Sequence, residues 1–132
     1  MPNTQRKQAM TTNTYNGWTN YETWNVKMWI DTDERSCRDC LEMAREAYDN
    51  AEASRTLTHA EQAARDLADT LRGHYEDAAQ GALERANVSA SVWCDLLGAA
   101  LSAVNWREIA TSLLDEIAED ESAASQAAPQ GK

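Results

Sequence analysis

The sequence lacks phenylalanine and has no apolar run near the roughly eighteen residues that a membrane-spanning helix requires. It also lacks a signal-peptide pattern, and its three cysteines are an odd number. Secreted disulfide frameworks use paired cysteines in an oxidising compartment. These absences predict a protein that is neither secreted nor inserted in a membrane, and that resides in the reduced cytoplasm of a cell.

Basic residues are also scarce, because 12 Lys and Arg stand against 22 Asp and Glu, for a net charge of −10 at pH 7. The phosphates of DNA, RNA and anionic lipids repel such a chain. We therefore expect no direct binding to nucleic acid or membrane, and a partner that is neutral or basic. The negative charge is concentrated in residues 31–54 and 107–132, which predicts two acidic patches.

The alternation of apolar and polar residues that marks β-strands is nearly absent, whereas helical periodicity runs through most of the chain. A length of 132 residues with 42% hydrophobic content fits one compact domain. The sequence predicts an all-α, single-domain bundle of about five helices with a short aromatic N-terminal helix. The predicted domain covers residues 14–121, between disordered tails at 1–13 and 122–132.

Capping patterns place the first predicted helices. Thr19 and Glu22 have the spacing of a capping box before a helix from Tyr21 to Ile30, which would place Tyr21, Trp24 and Met28 on one apolar face. Asp31 precedes Glu34 by the same spacing and predicts a second helix to about Ala53. The face of this second helix that lies opposite its apolar residues carries acidic residues.

The remaining three helices follow from the same signals. Thr58 and Glu61 predict a helix to about Gln80 with Gly81 as its terminator. Asn87 or Ser89 is expected to cap the most apolar helix, at 92–101, which we expect to be central in the fold. Asn105, three residues before Glu108, is expected to cap the start of the last helix. That helix is expected to fray at 119–121, where acidic residues oppose the helix dipole.

Tryptophan and tyrosine supply five aromatic residues among residues 15–30, YNGWTNYETWNVKMWI. This segment is either the main anchor of the fold or a recognition surface. The spacing of Trp24, Trp93 and Trp106 among apolar residues favours core positions. For Trp18 and Trp29 the sequence leaves two alternatives, a position in the core or a role as aromatic anchors for a partner.

Two motifs resemble those of an uncharacterised family of small phage- and plasmid-borne proteins. The first is NYETWNV at residues 20–26, and the second combines DLL at 95–97, AL at 100–101, VNW at 104–106 and EIA at 108–110. The resemblance covers about a third of the chain and implies a mobile-element setting inside a host cell. It implies no activity, substrate or catalytic residues.

A Cys-x-x-Cys pair, Cys37 and Cys40, could bind zinc if Cys94, His59 or His74 completed a ligand set. Structural zinc pairs lie on tight turns beside a second pair, whereas these two cysteines lie within a predicted amphipathic helix. We interpret them as small apolar core residues and predict no metal and no cofactor. A zinc-dependent module is the alternative.

No glycine-rich phosphate loop, nucleophile elbow or His-Glu-x-x-His pattern is present, so we predict no enzymatic activity. The leading hypothesis is a mobile-element inhibitor that blocks the basic nucleic-acid site of a host defence nucleoprotein, such as a CRISPR effector or restriction enzyme. Carboxylates spaced along a helix can imitate a row of phosphates. The candidate residues are Asp31, Asp33, Glu34, Asp39, Glu42, Glu46 and Asp49, followed by Asp115, Glu116, Glu119 and Asp120.

Two other interpretations of the acidic surface stay open. The acids can serve only solubility. The chain can also be a structural or regulatory phage accessory protein that acts through homodimerisation, which would bury the aromatic segment, or through another protein partner.

Overall fold

The computed structural model describes residues 14–88 and 91–127. Within those ranges the protein has five helices and no strand beyond a single bridge between Tyr15 and Trp18. The helices are α1 (Tyr21–Thr32), α2 (Glu34–Asn50), α3 (His59–Arg85), α4 (Val92–Ala103) and α5 (Trp106–Ala127). The prediction of an all-α bundle of five helices is confirmed.

The core lies between α2, α3 and α5, each of which packs against the other two. Leu67 and Leu71 of α3 meet Ile109 and Leu113 of α5 with no exposed surface, and Ile30 closes the core from α1. These residues recur at three- and four-residue steps, so one stripe of each helix faces inward. Burying each such side chain contributes roughly 1.5–3 kcal/mol.

The junction between α1 and α2 is capped by Asp33, so the predicted cap at Asp31 is wrong. The Asp33 carboxylate accepts hydrogen bonds from the backbone N and the hydroxyl of Ser36, at 3.0 and 2.7 Å. These two bonds hold the pKa of Asp33 below its ordinary value. Asp31 instead lies in the last turn of α1 and pairs with Lys27.

Helix α3 begins as predicted, with the capping box of Thr58 and Glu61 fully formed. It passes through Gly81 to Arg85, so the prediction that Gly81 ends it is wrong. The helix ends where Asn87 takes the left-handed conformation, with φ of 61°. The backbone N–H of Val88 reaches Leu83 O, which satisfies carbonyls left open at the helix end.

Helix α4 is peripheral, so the prediction that it is central is wrong. None of its residues is buried, and Trp93 is 64% exposed, which also overturns the prediction of a core position for Trp93. The helix packs only against α3 and α1 in the described chain. Its N-cap is Ser91, which makes no side-chain cap bond, so the predicted cap at Asn87 is wrong; the alternative cap Ser89 lies outside the described residues.

Helix α5 is capped by Asn105, whose Oδ1 accepts from the backbone N of Glu108 at 3.1 Å, as predicted. Its inward residues include Trp106, Ile109, Leu113 and Ile117, all buried. The helix continues past 119–121 to Ala127, so the expected fraying there is not observed. Residues 1–13 and 128–132 of the predicted tails lie outside the described residues, and the domain limits stay predictions.

Candidate functional site

Helix α1 buries polar side chains and exposes aromatic ones. Thr23 is 0% and Lys27 4% exposed, whereas Trp29 is 59% exposed. The inward residues are Thr23, Lys27 and Ile30, so the apolar face predicted through Tyr21, Trp24 and Met28 is not the face that packs inward. Buried polar groups are costly unless they are hydrogen-bonded, and α1 takes this orientation because all of its buried polar groups find partners.

Thr23 connects α1 to the start of α5. Its hydroxyl donates to Asn20 Oδ1 at 2.6 Å and accepts from the backbone N of Asn105 at 2.8 Å. Asn20 is the N-cap of α1, since its Oδ1 also accepts from the Thr23 backbone N at 2.9 Å, and its Nδ2 donates to Ala103 O at 2.7 Å. The predicted cap at Thr19 is therefore wrong.

Thr19 instead binds α5 directly. Its backbone N donates to Glu108 Oε1 at 3.0 Å, and its hydroxyl accepts from Asn105 Nδ2 at 3.0 Å. The two sequence motifs, which are more than eighty positions apart, thus form one hydrogen-bonded unit. Their polar residues hold α1 against α5, which is a structural role.

Lys27 lies at the centre of the next contact between α1 and α5. Its Nζ donates to Asp31 Oδ1 at 2.7 Å and to Glu116 Oε2 at 2.8 Å. Burial opposes the charge of Lys27, but the hydrogen bonds to both carboxylates outweigh it and hold the pKa of the ammonium above its ordinary value. The Trp18 ring lies over the same ammonium, 5.9 Å from Nζ to the ring centroid, within cation–π range.

Trp18 is presented by a tight turn. Tyr15 and Trp18 exchange two backbone hydrogen bonds of 2.7 and 2.8 Å, and Asn16 and Gly17 between them both have positive φ, 49° and 87°. Asn-Gly is the typical pair for such a two-residue turn, and this signal was missed in the sequence. The turn leaves Trp18 half-buried against the core.

An open groove of about 490 Å³ runs between this turn and α5. Trp18 and Asp115 both line it, together with Arg107 and Glu108. Trp18, Asp31, Asp115 and Glu116 were selected by separate sequence arguments. The structure brings Trp18, Asp31 and Glu116 together around Lys27, and Asp115 lines the neighbouring groove with Trp18. We call these four residues and Lys27 the Lys27 site.

The acidic residues of α2 form a separate surface. Glu42, Glu46 and Asp49 are exposed and Asp39 is half-buried along one helix face. Asp39, Glu42 and Glu46 line an open cleft of about 330 Å³ with His74. Three arginines interrupt the acids of α2, at positions 35, 38 and 45.

Helix α5 has a more uniform charge. After Arg107 its described residues contain no Lys or Arg, while Glu119 and Asp120 are exposed one turn beyond the Lys27 site. The α1–α2 junction adds exposed carboxylates at Asp33 and Glu34, close in sequence to Asp31. Acids from both predicted groups therefore meet at Asp31 and Glu116.

A second aromatic group lies on the surface of α1. The rings of Tyr15, Tyr21 and Trp24 contact one another, with centroid separations of 5.1 to 5.6 Å. Trp24 is half-buried in this group and outside the core. Trp106 does occupy the predicted core position, stacked on Tyr75 at 5.5 Å.

The cysteines contribute to packing. Cys40 is buried in the core, where burial raises its pKa, and its Sγ lies 3.8 Å from the Tyr75 hydroxyl. Cys37 and Cys94 are half-buried and form no disulfide. Among residues 14–88 and 91–127, no group of three His, Cys, Asp or Glu side chains is placed to hold a metal ion.

The chain matches the model of a known protein family. A family model matches residues 11–123, which includes both motifs, the Lys27 site and the five helices up to the acidic part of α5. The chain belongs to DUF7249, a family of unknown function. No curated protein and no solved structure matches the chain.

For this DUF7249 chain, membership brings no reaction, ligand or source, so function rests on the geometry. In the described ranges no helix is both long and apolar enough to cross a membrane. The Lys27 site offers an aromatic ring beside carboxylates on a rigid, hydrogen-bonded support. The side chains of Asp31 and Glu116 are 49% and 38% exposed, so both carboxylates stay open to solvent beside Lys27.

Proposed function

We propose that this DUF7249 protein is a non-enzymatic inhibitor from a phage or other mobile element. It binds the basic nucleic-acid site of a host defence nucleoprotein, of the CRISPR-effector or restriction type, and excludes the nucleic acid. The single observation that supports the proposal most is that Lys27 holds the carboxylates of Asp31 and Glu116 together beside the Trp18 ring, with Asp115 on the groove that Trp18 also lines.

Charge and spacing supply the physical argument. Residues four apart on a helix lie about 6 Å apart along its axis, so Asp115 with Glu119 and Glu116 with Asp120 form two short rows of carboxylates. A basic groove that neutralises the phosphates of nucleic acid also attracts carboxylates that are spaced along a helix. Lys27 neutralises one charge of this surface but fixes two carboxylates in position.

The two acidic surfaces are unequal under this proposal. We assign the main contact to α5 and Asp31, because Arg35, Arg38 and Arg45 dilute the acids of α2. The α2 acids Asp39, Glu42, Glu46 and Asp49 form a second contact. Trp18 supplies an aromatic anchor at the edge of the first surface, and Trp29 is the second candidate anchor.

Charge reversal tests the proposal. The variant Glu119→Lys with Asp120→Lys changes two exposed residues outside the core, so we expect the fold to be retained. The control is Asp69→Lys with Asp77→Lys, two exposed acids of α3 with the same change in net charge. Each protein is titrated against purified CRISPR effectors and restriction enzymes holding labelled DNA.

The wild type and the control are expected to displace the DNA from at least one of these enzymes, with at least tenfold weaker displacement by the α5 variant. Direct binding of the wild type to the enzyme without DNA should weaken as the salt concentration rises, since screening weakens contacts between exposed charges. Equal displacement by all three proteins, or by none, would overturn the proposal. A companion variant with lysines at Asp39, Glu42, Glu46 and Asp49 measures the contribution of α2.

A further inference from the structure

Helix α4 is the most apolar of the five helices in the described part of the chain and has no buried residue. Val92, Trp93 and Leu96 are each more than half exposed. Asp95 is the single charged residue among its twelve, in a chain where 26% of residues are charged. Large apolar side chains on a surface without compensating charge indicate an interface.

The side chains on the exposed side of α4 are ordered by size along the helix. Val92, Leu96, Ala99 and Ala103 recur at steps of four, three and four residues and form one stripe. All four are exposed, with the branched residues in the first half of the helix and the alanines in the second half. Trp93 flanks the branched half, and Ala100 flanks the other half on the same side.

We propose that a second copy of this chain packs on this face, with the two α4 helices antiparallel about a two-fold axis. In the register centred between Leu97 and Gly98, Val92 lies opposite Ala103 of the partner subunit and Leu96 opposite Ala99 of the partner subunit. Each large side chain then meets a small one. A two-fold interface requires this self-complementarity, and alanines permit close helix approach.

The order of large and small residues selects a second copy as the occupant, and the low charge of α4 permits it. Two molecules with a net charge of −10 each repel one another over most of their surfaces, and α4 is the charge-poor helix where they can approach. In this register Asp95 lies on the flank beside Ser102 of the partner subunit, away from Asp95 of the partner subunit. A basic partner would gain no charged contacts on the apolar stripe itself.

The dimer and the proposed inhibition respond to salt in opposite directions. Salt screens the repulsion between the two acidic copies, so dimerisation strengthens as the salt concentration rises. Binding of a basic partner by the Lys27 site weakens under the same change. Failure of one proposal therefore leaves the other testable, and the dimer does not depend on the inhibitor function.

Sedimentation velocity of the full chain, from about 1 μM to about 100 μM, tests the dimer at roughly 0.05 M and 0.5 M NaCl. The wild type is expected to form dimers with increasing concentration, more readily at the higher salt. Leu96→Glu should raise the dissociation constant at least tenfold. The control Ala78→Glu adds the same charge at an exposed position of α3 and should dimerise as the wild type does.

A mixing experiment tests whether residues 96 and 99 of the two subunits face one another, as the antiparallel register requires. One protein carries Leu96→Glu and Ala99→Glu, and a second carries Leu96→Lys and Ala99→Lys. Each alone should be monomeric, and an equimolar mixture should form a heterodimer, because residue 96 of each subunit faces residue 99 of the other. Circular dichroism checks that each variant is folded.

Three results would overturn the proposal. One is a wild type that stays monomeric at every concentration and both salts, which would leave the α4 face for another occupant. Another is a Leu96→Glu variant that dimerises as well as the wild type. The last is a mixture of the two charged variants that remains monomeric, which would exclude the antiparallel register.

Discussion

The Nζ of Lys27 lies 2.8 Å from Oε2 of Glu116, a residue 89 positions later in the chain. This contact joins the inward face of α1 to the acidic surface of α5. It is made by a nearly buried ammonium, whereas the Glu116 side chain is 38% exposed. The ion pair therefore has two consequences, one for stability and one for the position of the carboxylates at the Lys27 site.

Removing the ammonium should destabilise the protein. Lys27→Ala deletes two charge-assisted hydrogen bonds and leaves a cavity, so we expect the free energy of unfolding to fall by about 2 kcal/mol. Asp31 and Glu116 are partly hydrated, which keeps the loss below that of a fully buried pair. Urea denaturation measures it. Lys27→Met, which restores apolar packing, should lose less, and an equal loss in both would show that packing contributes little.

Stability should fall in alkali. The pKa of Lys27 is raised in the folded protein by its carboxylate partners, and burial raises the pKa of Tyr75. A raised pKa contributes stability that is complete below the unfolded-state pKa and is lost as the pH rises through the folded-state pKa. The free energy of unfolding should thus decrease above about pH 10.

The variants Lys27→Met and Tyr75→Phe show whether these two side chains cause the loss of stability at alkaline pH. Each should flatten the pH dependence of the free energy of unfolding, measured by urea titration at several pH values. An unchanged slope in both variants would mean that other groups cause the loss.

Removing the Thr23 hydroxyl should destabilise the protein, although the group is small. Thr23→Val keeps the shape of the side chain but leaves the backbone N–H of Asn105 without its acceptor, at an expected cost of about 1–3 kcal/mol. Thr32→Val is the matched control, since the Thr32 hydroxyl is exposed and bonds only within its own helix, to Met28. Thermal unfolding compares them. Similar losses in both variants would contradict the assigned role of Thr23.

The same substitution at two glycines should have opposite effects. Gly17 has a φ of 87° with open space around it, so Gly17→Ala adds backbone strain of about 1–2 kcal/mol without a clash. Gly73 lies inside α3, also with open space, so Gly73→Ala should stabilise by roughly 0.5–1 kcal/mol. Melting temperatures that shift in the same direction would refute the turn geometry at Gly17.

Local signals predicted the helices well. Apolar residues of α3 and α5 repeat at helical steps along their own segments, and the caps at Thr58 and Asn105 depend on neighbours three residues away. Such information is contained in a short window of sequence. The two turns that were missed or misplaced, at Gly17 and Asn87, depend on positive φ, which asparagine and glycine both allow.

The rotation of α1 was not predictable from its own residues. Hydrophobicity alone places Tyr21 and Trp24 inward, but Thr23 and Lys27 are buried because Asn105 and Glu116 bind them from the other end of the chain. The exposure of Trp93 has the opposite origin, because the apolar stripe of α4 exceeds what α3 and α1 cover. The candidate residues were named from the sequence, but their convergence at Lys27 required the tertiary structure.

Capture of host proteins tests the central claim most directly. Tagged protein is incubated with a host lysate that contains active CRISPR and restriction systems, and washed at low and at high salt, with the charge-reversed variant Glu119→Lys, Asp120→Lys in parallel. Mass spectrometry identifies what is bound. We expect a nuclease that is retained at low salt, released at high salt and lost in the variant. Recovery of only the protein itself or of phage components would contradict inhibition and favour an accessory role.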